Sequence, residues 1–301
     1  MKKENWNESN IPDQSGKVFI VTGSTSGLGK ETAIVLARKN ATVIMGARNI
    51  KKAESVKEEI LAENKNAKIN IQELDLSSLA SINSFSEAIK KKYKVIDVLI
   101  NNAGIMACPY SKTKDGFEIQ MGTNHLGHFA LTGLLLPLLQ KQPNSRIVNV
   151  SSIAHKSGNI NFDDLNWEKR KYKTWSAYSD SKLANLYFTY ELSRKLLKKN
   201  DNLKVLAAHP GNSDTELQRY SGFFKALNKI AAQKSTIGAL AGIRAAVDPN
   251  AKSSDYYGSP SFGEIRGHPV VVKSNGLSHH KANAKTLWRL SEELTGISYF
   301  L

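Results

Sequence analysis

The chain has 301 residues, 41% of them hydrophobic, which suits one large α/β domain with a substantial core. Its 42 Lys and Arg outnumber 27 Asp and Glu for a formal net charge of +15, but the lysines are scattered over helical faces without an arginine-rich arm, so no nucleic-acid partner is expected. A single cysteine, Cys108, excludes an internal disulfide framework or cysteine-based metal site, and the longest apolar run, residues 131–139, is too short for a bilayer and contains Pro137.

Residues 1–15 read as a polar arm with no secretory signal, which Trp6 and Ile11 could pin to the surface. A cytoplasmic protein without a membrane anchor is expected. Residues 16–301 form one domain, since no linker or internal repeat divides them. Strands are predicted over 17–21, 41–47, 68–74, 95–100, 146–150 and 203–208. They alternate with helices over 30–40, 49–66, from about 79 to 93, and 176–199. That rhythm means a parallel sheet with right-handed crossovers and helices on both faces. Asp115 and Glu118 form a D-x-x-E capping pattern that opens a long helix to about residue 140. An irregular insertion covers 153–174. Segment 212–235, with Tyr220, Phe223, Phe224 and Leu227, is a candidate apolar substrate lid because it follows the C-terminal end of a strand. A helix over 236–247, a last strand or edge at 255–258 and a closing helix over 281–294 complete the chain.

Three features point to chemistry. The first strand runs into Thr22-Gly23-Ser24-Thr25-Ser26-Gly27-Leu28-Gly29 and then a helix. A helix N-terminus offers unpaired N–H groups to a diphosphate, and glycines let the backbone turn sharply beside it. The second strand ends in Arg48, where NAD-binding folds place an acid for the ribose hydroxyls. A guanidinium there pairs with a 2′-phosphate, so NADP is favoured over NAD. Tyr178 and Lys182 are four residues apart and share one face of their helix.

Taken together, Thr22-Gly23-x-x-x-Gly27-x-Gly29, Asp75 after the third strand, Asn101-Asn102-Ala103-Gly104, Asn124, the serine ending the fifth strand, Tyr178-x-x-x-Lys182, and Pro210-Gly211 with Thr215 resemble the short-chain dehydrogenase/reductase family over nearly the whole chain. Residues 146–155, 177–192 and 208–211 are similar to its retinol-dehydrogenase-like branch, which also resembles protochlorophyllide reductases. The run from Asp255 to Gly267 resembles bacterial members of that branch.

The resemblance implies a single doubly wound Rossmann domain with a parallel sheet of about seven strands. It implies hydride transfer between a nicotinamide and a small-molecule carbonyl or alcohol, lipophilic if the lid reading holds. Tyr178 would be the general acid/base, Lys182 its cationic neighbour, Ser152 the carbonyl-polarising hydroxyl and Asn124 the holder of a proton-relay water. The family's serine is the second of its pair, hence Ser152 over Ser151. The cofactor set carried over is Gly23, Ser24, Thr25, Ser26, Gly27, Leu28, Gly29, Arg48, Asp75, Leu76, Asn102, Ala103, Gly104, Tyr178, Lys182, Pro210, Gly211 and Thr215. The resemblance implies that a homodimer or homotetramer through the two long helices is open to this chain, as is a monomer, the state of some relatives in this branch. The polar Asn212-Ser213-Asp214 departs from the family's small apolar residues after Pro-Gly. The alternative from another class is a sensor or scaffold that binds NADPH without turnover.

Overall fold

A computed structural model describes residues 5–199, 202–211, 234–261 and 264–301. Residues 212–233, which carry Thr215 and nearly all of the proposed lid, lie outside the described residues. The strands are β1 (Val18–Thr22), β2 (Thr42–Ala47), β3 (Lys68–Glu73), β4 (Val98–Asn101), β5 (Arg146–Val150), β6 (Lys204–Ala208), β7 (Tyr256–Gly258) and β8 (Val270–Val272). They form one sheet in the order β3-β2-β1-β4-β5-β6-β7-β8. Seven run parallel, as expected, and β8 pairs antiparallel with β7. Sequence reading has no eighth strand, because three partly exposed valines at an edge carry no periodicity.

Side chains alternate across the sheet. Phe19 and Val21 enter one core with α1 (Gly27–Arg38), α2 (Ile50–Glu63) and α7 (Ser235–Val247). Ile20 enters the opposite core with α3 (Leu79–Lys92), α5 (Gly127–Leu139) and α6 (Thr174–Lys198). The order reverses between β1 and β4, the switch point where doubly wound sheets open a ligand crevice at the strands' C-terminal ends.

The long helix after residue 115 departs from expectation. It starts as a single turn, α4 (Ile119–Met121), passes through a π-helical stretch, Gly122–Leu126, and becomes α5. Glu118, not Asp115, caps it: its buried carboxylate accepts from the amides of Gln120 and Met121 at 2.9 and 2.6 Å. Asp115 instead accepts from the Leu79 amide at 2.9 Å, at the start of α3. The D-x-x-E pattern marked the right helix start but only half of its cap, since Glu118 serves that helix while Asp115 serves α3, its neighbour only in space.

The chain closes with α8 (Lys281–Thr295), ended by Gly296 at φ +67°. Trp288 and Tyr299 pack on Phe129 of α5 and Phe188 of α6, with ring centroids 4.8–6.3 Å apart. The helices that the resemblance assigns to subunit pairing are therefore partly covered by the chain's own C-terminus. At the other terminus Trp6 and Ile11 are buried, and the His268 ring donates to the Trp6 carbonyl at 2.9 Å. No described helix is long and apolar enough to cross a membrane.

Candidate active site

The glycine turn lies at the switch point. Gly23 has φ +68°, and a Cβ there would stand 2.8 Å from Ala103 Cα. A Cβ on Gly29 would stand 2.3 Å from the Gly23 carbonyl oxygen and 2.5 Å from the Asn102 amide nitrogen. These two glycines are thus required by the packing of the turn against Asn102-Ala103, before any ligand is considered. Gly27, at φ +51°, supplies the backbone reversal into α1. Ser26 precedes α1 without a side-chain cap, and the buried Ser24 hydroxyl has no partner. The turn therefore presents uncapped donors and one orphaned hydroxyl at a helix N-terminus, which fits an anionic group.

The other expected cofactor residues follow the C-terminal ends of β2, β3, β4 and β6. Arg48 is exposed immediately after β2. Burial works against the Asp75 carboxylate, but hydrogen bonds from Ser77 and Lys114 outweigh it and hold its pKa below the ordinary value. Leu76 is buried. The Asn102 side chain donates to the Thr22 carbonyl at 2.9 Å, which braces β4 to β1. Leu28, Asn102, Val150, His209 and Pro210 line one cavity, placing the Pro210-Gly211 turn opposite the glycine turn.

The four expected catalytic residues come from three elements and meet at one place. Ser152 follows β5, accepts from the Ala154 amide at 3.2 Å and hydrogen-bonds the Tyr178 phenol. Ser151 is buried, with its hydroxyl donating to the Lys182 carbonyl at 2.8 Å. Tyr178 and Lys182 stand one turn apart on α6, as their spacing predicts. Lys182 Nζ donates to the Val150 carbonyl at 3.2 Å and lies 5.7 Å from the centre of the Tyr178 ring. Burial pushes the Tyr178 phenol up to about 12, against the lowering effect of its Ser152 hydrogen bond. Burial also pulls Lys182 down to about 8.

Asn124 sits in the π-helical stretch, fully buried. Its side chain accepts from the Ile105 amide at 2.8 Å and donates to the Ile105 carbonyl at 3.0 Å and Ser181 Oγ at 2.9 Å. It thus ties the loop after β4 to α6. A Cβ on Gly104 would stand 3.2 Å from Asn124 Oδ1 and 3.4 Å from Lys182 Nζ. Sequence reading of a lone mid-helix Asn favours an exposed residue. The π-helical geometry turns it inward instead.

Several residues around the site carry weak or no signals in the sequence. Tyr172, within the irregular insertion, donates to Glu118 at 2.7 Å, and Gln120 donates to Tyr172 at 2.8 Å and to the Thr174 carbonyl at 2.9 Å. This knot holds the start of α6, and no local motif announces it. Trp175 is 40% exposed one turn before Tyr178, with its ring edge-on at 6.1 Å. His128 lies four residues after Asn124, a spacing that could have paired them. Cys108 is buried, and burial raises its thiol pKa.

A parallel sheet with a glycine turn at its switch point and a Ser-Tyr-Lys cluster beside it defines a dinucleotide-dependent oxidoreductase fold. The chain matches the short chain dehydrogenase family over residues 17–223 and belongs to that family. It is 50% identical to human retinol dehydrogenase 13 over 207 residues, 69% of this chain and 62% of that protein. It is 42% identical to mouse retinol dehydrogenase 12 over 295 residues, 94% of this chain and 88% of that one. An uncharacterised protein from Mycobacterium paratuberculosis, 41% identical, superposes with TM-score 0.84 over 99% of this chain and 100% of its own. A short chain dehydrogenase from Shigella flexneri solved with NADP shares the fold at 24% identity and TM-score 0.66, covering 81% of this chain and 97% of that one.

Proposed function

We propose that this protein is an NADP-dependent oxidoreductase that interconverts a carbonyl and an alcohol, with Tyr178 as general acid/base. The single observation that carries the reading is that Ser152, Tyr178 and Lys182 come together beside the C-terminal end of β5. Ser151, whose hydroxyl is committed to the Lys182 carbonyl, supports the choice of Ser152.

A nicotinamide bound there supplies or accepts the hydride. The turn from Gly23 to Gly29 would hold its diphosphate, Arg48 the 2′-phosphate, Asp75 and Leu76 the adenine side, Asn102, Ala103 and Gly104 the adenosine ribose, and Pro210-Gly211 the nicotinamide side. Thr215, proposed for the nicotinamide carboxamide, lies outside the described residues. The chain's own work is to place and protonate the substrate oxygen. Ser152 Oγ donates to that oxygen and polarises it. Tyr178 donates the proton in reduction and recovers it in oxidation. A phenol held near 12 is protonated at neutral pH, the form that donates in reduction. Lys182, one turn along α6 from the charge as it forms on Tyr178, stabilises the phenolate and keeps it oriented. Asn124 fixes Lys182 through Ser181 and the Gly104 approach, and would hold the relay water. The exposed indole of Trp175 beside Tyr178 supports an apolar substrate.

NADPH oxidation by the purified protein across a broad panel of aldehydes and ketones tests this. Tyr178→Phe should lower kcat by roughly 10²–10⁴-fold while NADPH still binds, the scale of a lost general acid. NADPH binding with no turnover on any carbonyl, and no difference between wild type and Tyr178→Phe, would overturn the reading in favour of a sensor.

A further inference from the structure

We infer that His128 is a positioning residue: a neutral imidazole strut that transmits the state of the dinucleotide turn to the catalytic π-helical stretch. The inference rests on the oxidoreductase reading for its kinetic readout only. His128 is buried on α5 and bonded at both ring nitrogens. Nδ1 lies 3.0 Å from the Asn124 carbonyl and Nε2 lies 2.9 Å from Thr22 Oγ1. A carbonyl only accepts, so Nδ1 carries the proton and Nε2 accepts from the Thr22 hydroxyl. The tautomer follows from the partners.

Each end of the strut reaches a different half of the site. Thr22 Oγ1 accepts from the amides of Asn102 and Ala103 at 3.0 and 2.9 Å. Those residues are the ones against which Gly23 and Gly29 pack. At the far end, Asn124 clamps Ile105 and Ser181 and stands beside Lys182 through Gly104. One side chain therefore joins the cofactor turn to the residue that clamps Ile105 and Ser181, the latter next to Lys182 in sequence. No other side chain bonds both Thr22 and Asn124 among the described residues.

The two ends respond differently to loss of the ring. Without His128 the Thr22 hydroxyl turns to the Ile100 carbonyl, already 3.4 Å away, and goes on accepting from Asn102 and Ala103. The turn keeps its shape. At the other end the Asn124 carbonyl loses the imidazole N–H, and the π-helical stretch is expected to loosen. His128→Leu should lower kcat at saturating NADPH about tenfold or more, the scale of one buried hydrogen bond lost from a positioned group. NADPH affinity should change by less than about threefold. His128→Gln, which offers one donor and one acceptor, should recover most of kcat.

Steady-state kinetics with NADPH titration on the full-length protein tests the strut, with circular dichroism and thermal melts to confirm folding. Thr22→Val should lower kcat in the wild-type background and have little further effect on kcat in the His128→Leu background. Equal, independent effects of the two substitutions would overturn the strut, as would a folded His128→Leu protein with wild-type kcat. If His128→Leu does not fold, His128→Gln with its predicted high kcat, set against His128→Asn, too short to span both partners and expected to be slow, makes the same test. A wild-type protein with no carbonyl turnover would count against the oxidoreductase reading. In that case the strut is judged by NADPH titration alone: Thr22→Val must weaken binding and His128→Leu must not.

Discussion

Tyr178 and Lys182 are neighbours in one buried pocket, and burial acts on them in opposite senses: the phenol rises to about 12 and the ammonium falls to about 8. Both shifts favour the neutral form, so the pair is an acid beside a cation that readily gives up its proton. NADPH-dependent reduction should hold level through neutral pH and fall above about pH 8 as Lys182 gives up its proton. A pH profile of kcat/KM measures this, and Lys182→Met should lower the plateau and remove that limb. The glycines make a second residue-scale prediction. Gly29→Ala places a methyl 2.3 Å from a backbone oxygen that cannot move aside. It should weaken NADPH binding and lower the melting temperature together, since the same contact shapes the turn and packs it. Binding by fluorescence and a thermal melt check both. Of the four residues expected to be catalytic, Tyr178 and Lys182 stand out by their spacing, while Ser152 and Asn124 are marked only by the family resemblance. His128 was legible only at one end, since Asn124 lies four residues away but Thr22 lies 106 away, and the exposed Trp175 ring carries no motif.

At the scale of elements, strand-turn-helix units could be read from local pattern, and the α4–α5 region could not. Periodicity sees an apolar helix from about residue 117 onward. It does not see that Glu118 starts it or that Gly122–Leu126 is wound more widely. That distinction depends on what the buried carboxylate meets, namely two amides and the Tyr172 hydroxyl. Glu118→Ala should cost ~1–3 kcal/mol, because two buried amides lose their acceptor. Asp115→Ala, at an exposed bond to α3, should cost only ~0.5–1 kcal/mol. Urea unfolding of the two variants separates the observed cap from the one the D-x-x-E spacing suggests; equal costs would contradict the assignment. β8 escaped notice for a similar reason. Its three residues are a strand only because β7 is there to pair with them.

Across the whole molecule, the buried histidines make the fold sensitive to acid. Burial lowers His125 to about 3, and His128 and His155 to about 4, from 6.5. The unfolded chain therefore binds more protons than the native one below about pH 6.5, and stability falls as pH drops from there toward 4. Asp180, raised by burial to about 6, acts in the opposite sense: it gives up stability as pH rises from 3.8 through 6. Three imidazoles against this carboxyl should leave a net loss on acidification. Melting temperature followed from about pH 7 down to about pH 4 should decline, and a flat curve would contradict the histidine account.

The sequence by itself determined the doubly wound class, the order of its strands and helices, and the short list of residue types at the site. Those follow from periodicity, glycine placement and i, i+4 spacing, which are local and survive in one dimension. Only the tertiary structure decided that Ser24 has no partner, that Asn124 turns inward, that the chain's own C-terminal helix covers α5 and α6, and that one imidazole links Thr22 to Asn124. Each of those depends on which atoms from distant segments compete for the same buried space, and burial and hydrogen-bond satisfaction are properties of that space rather than of any stretch of chain.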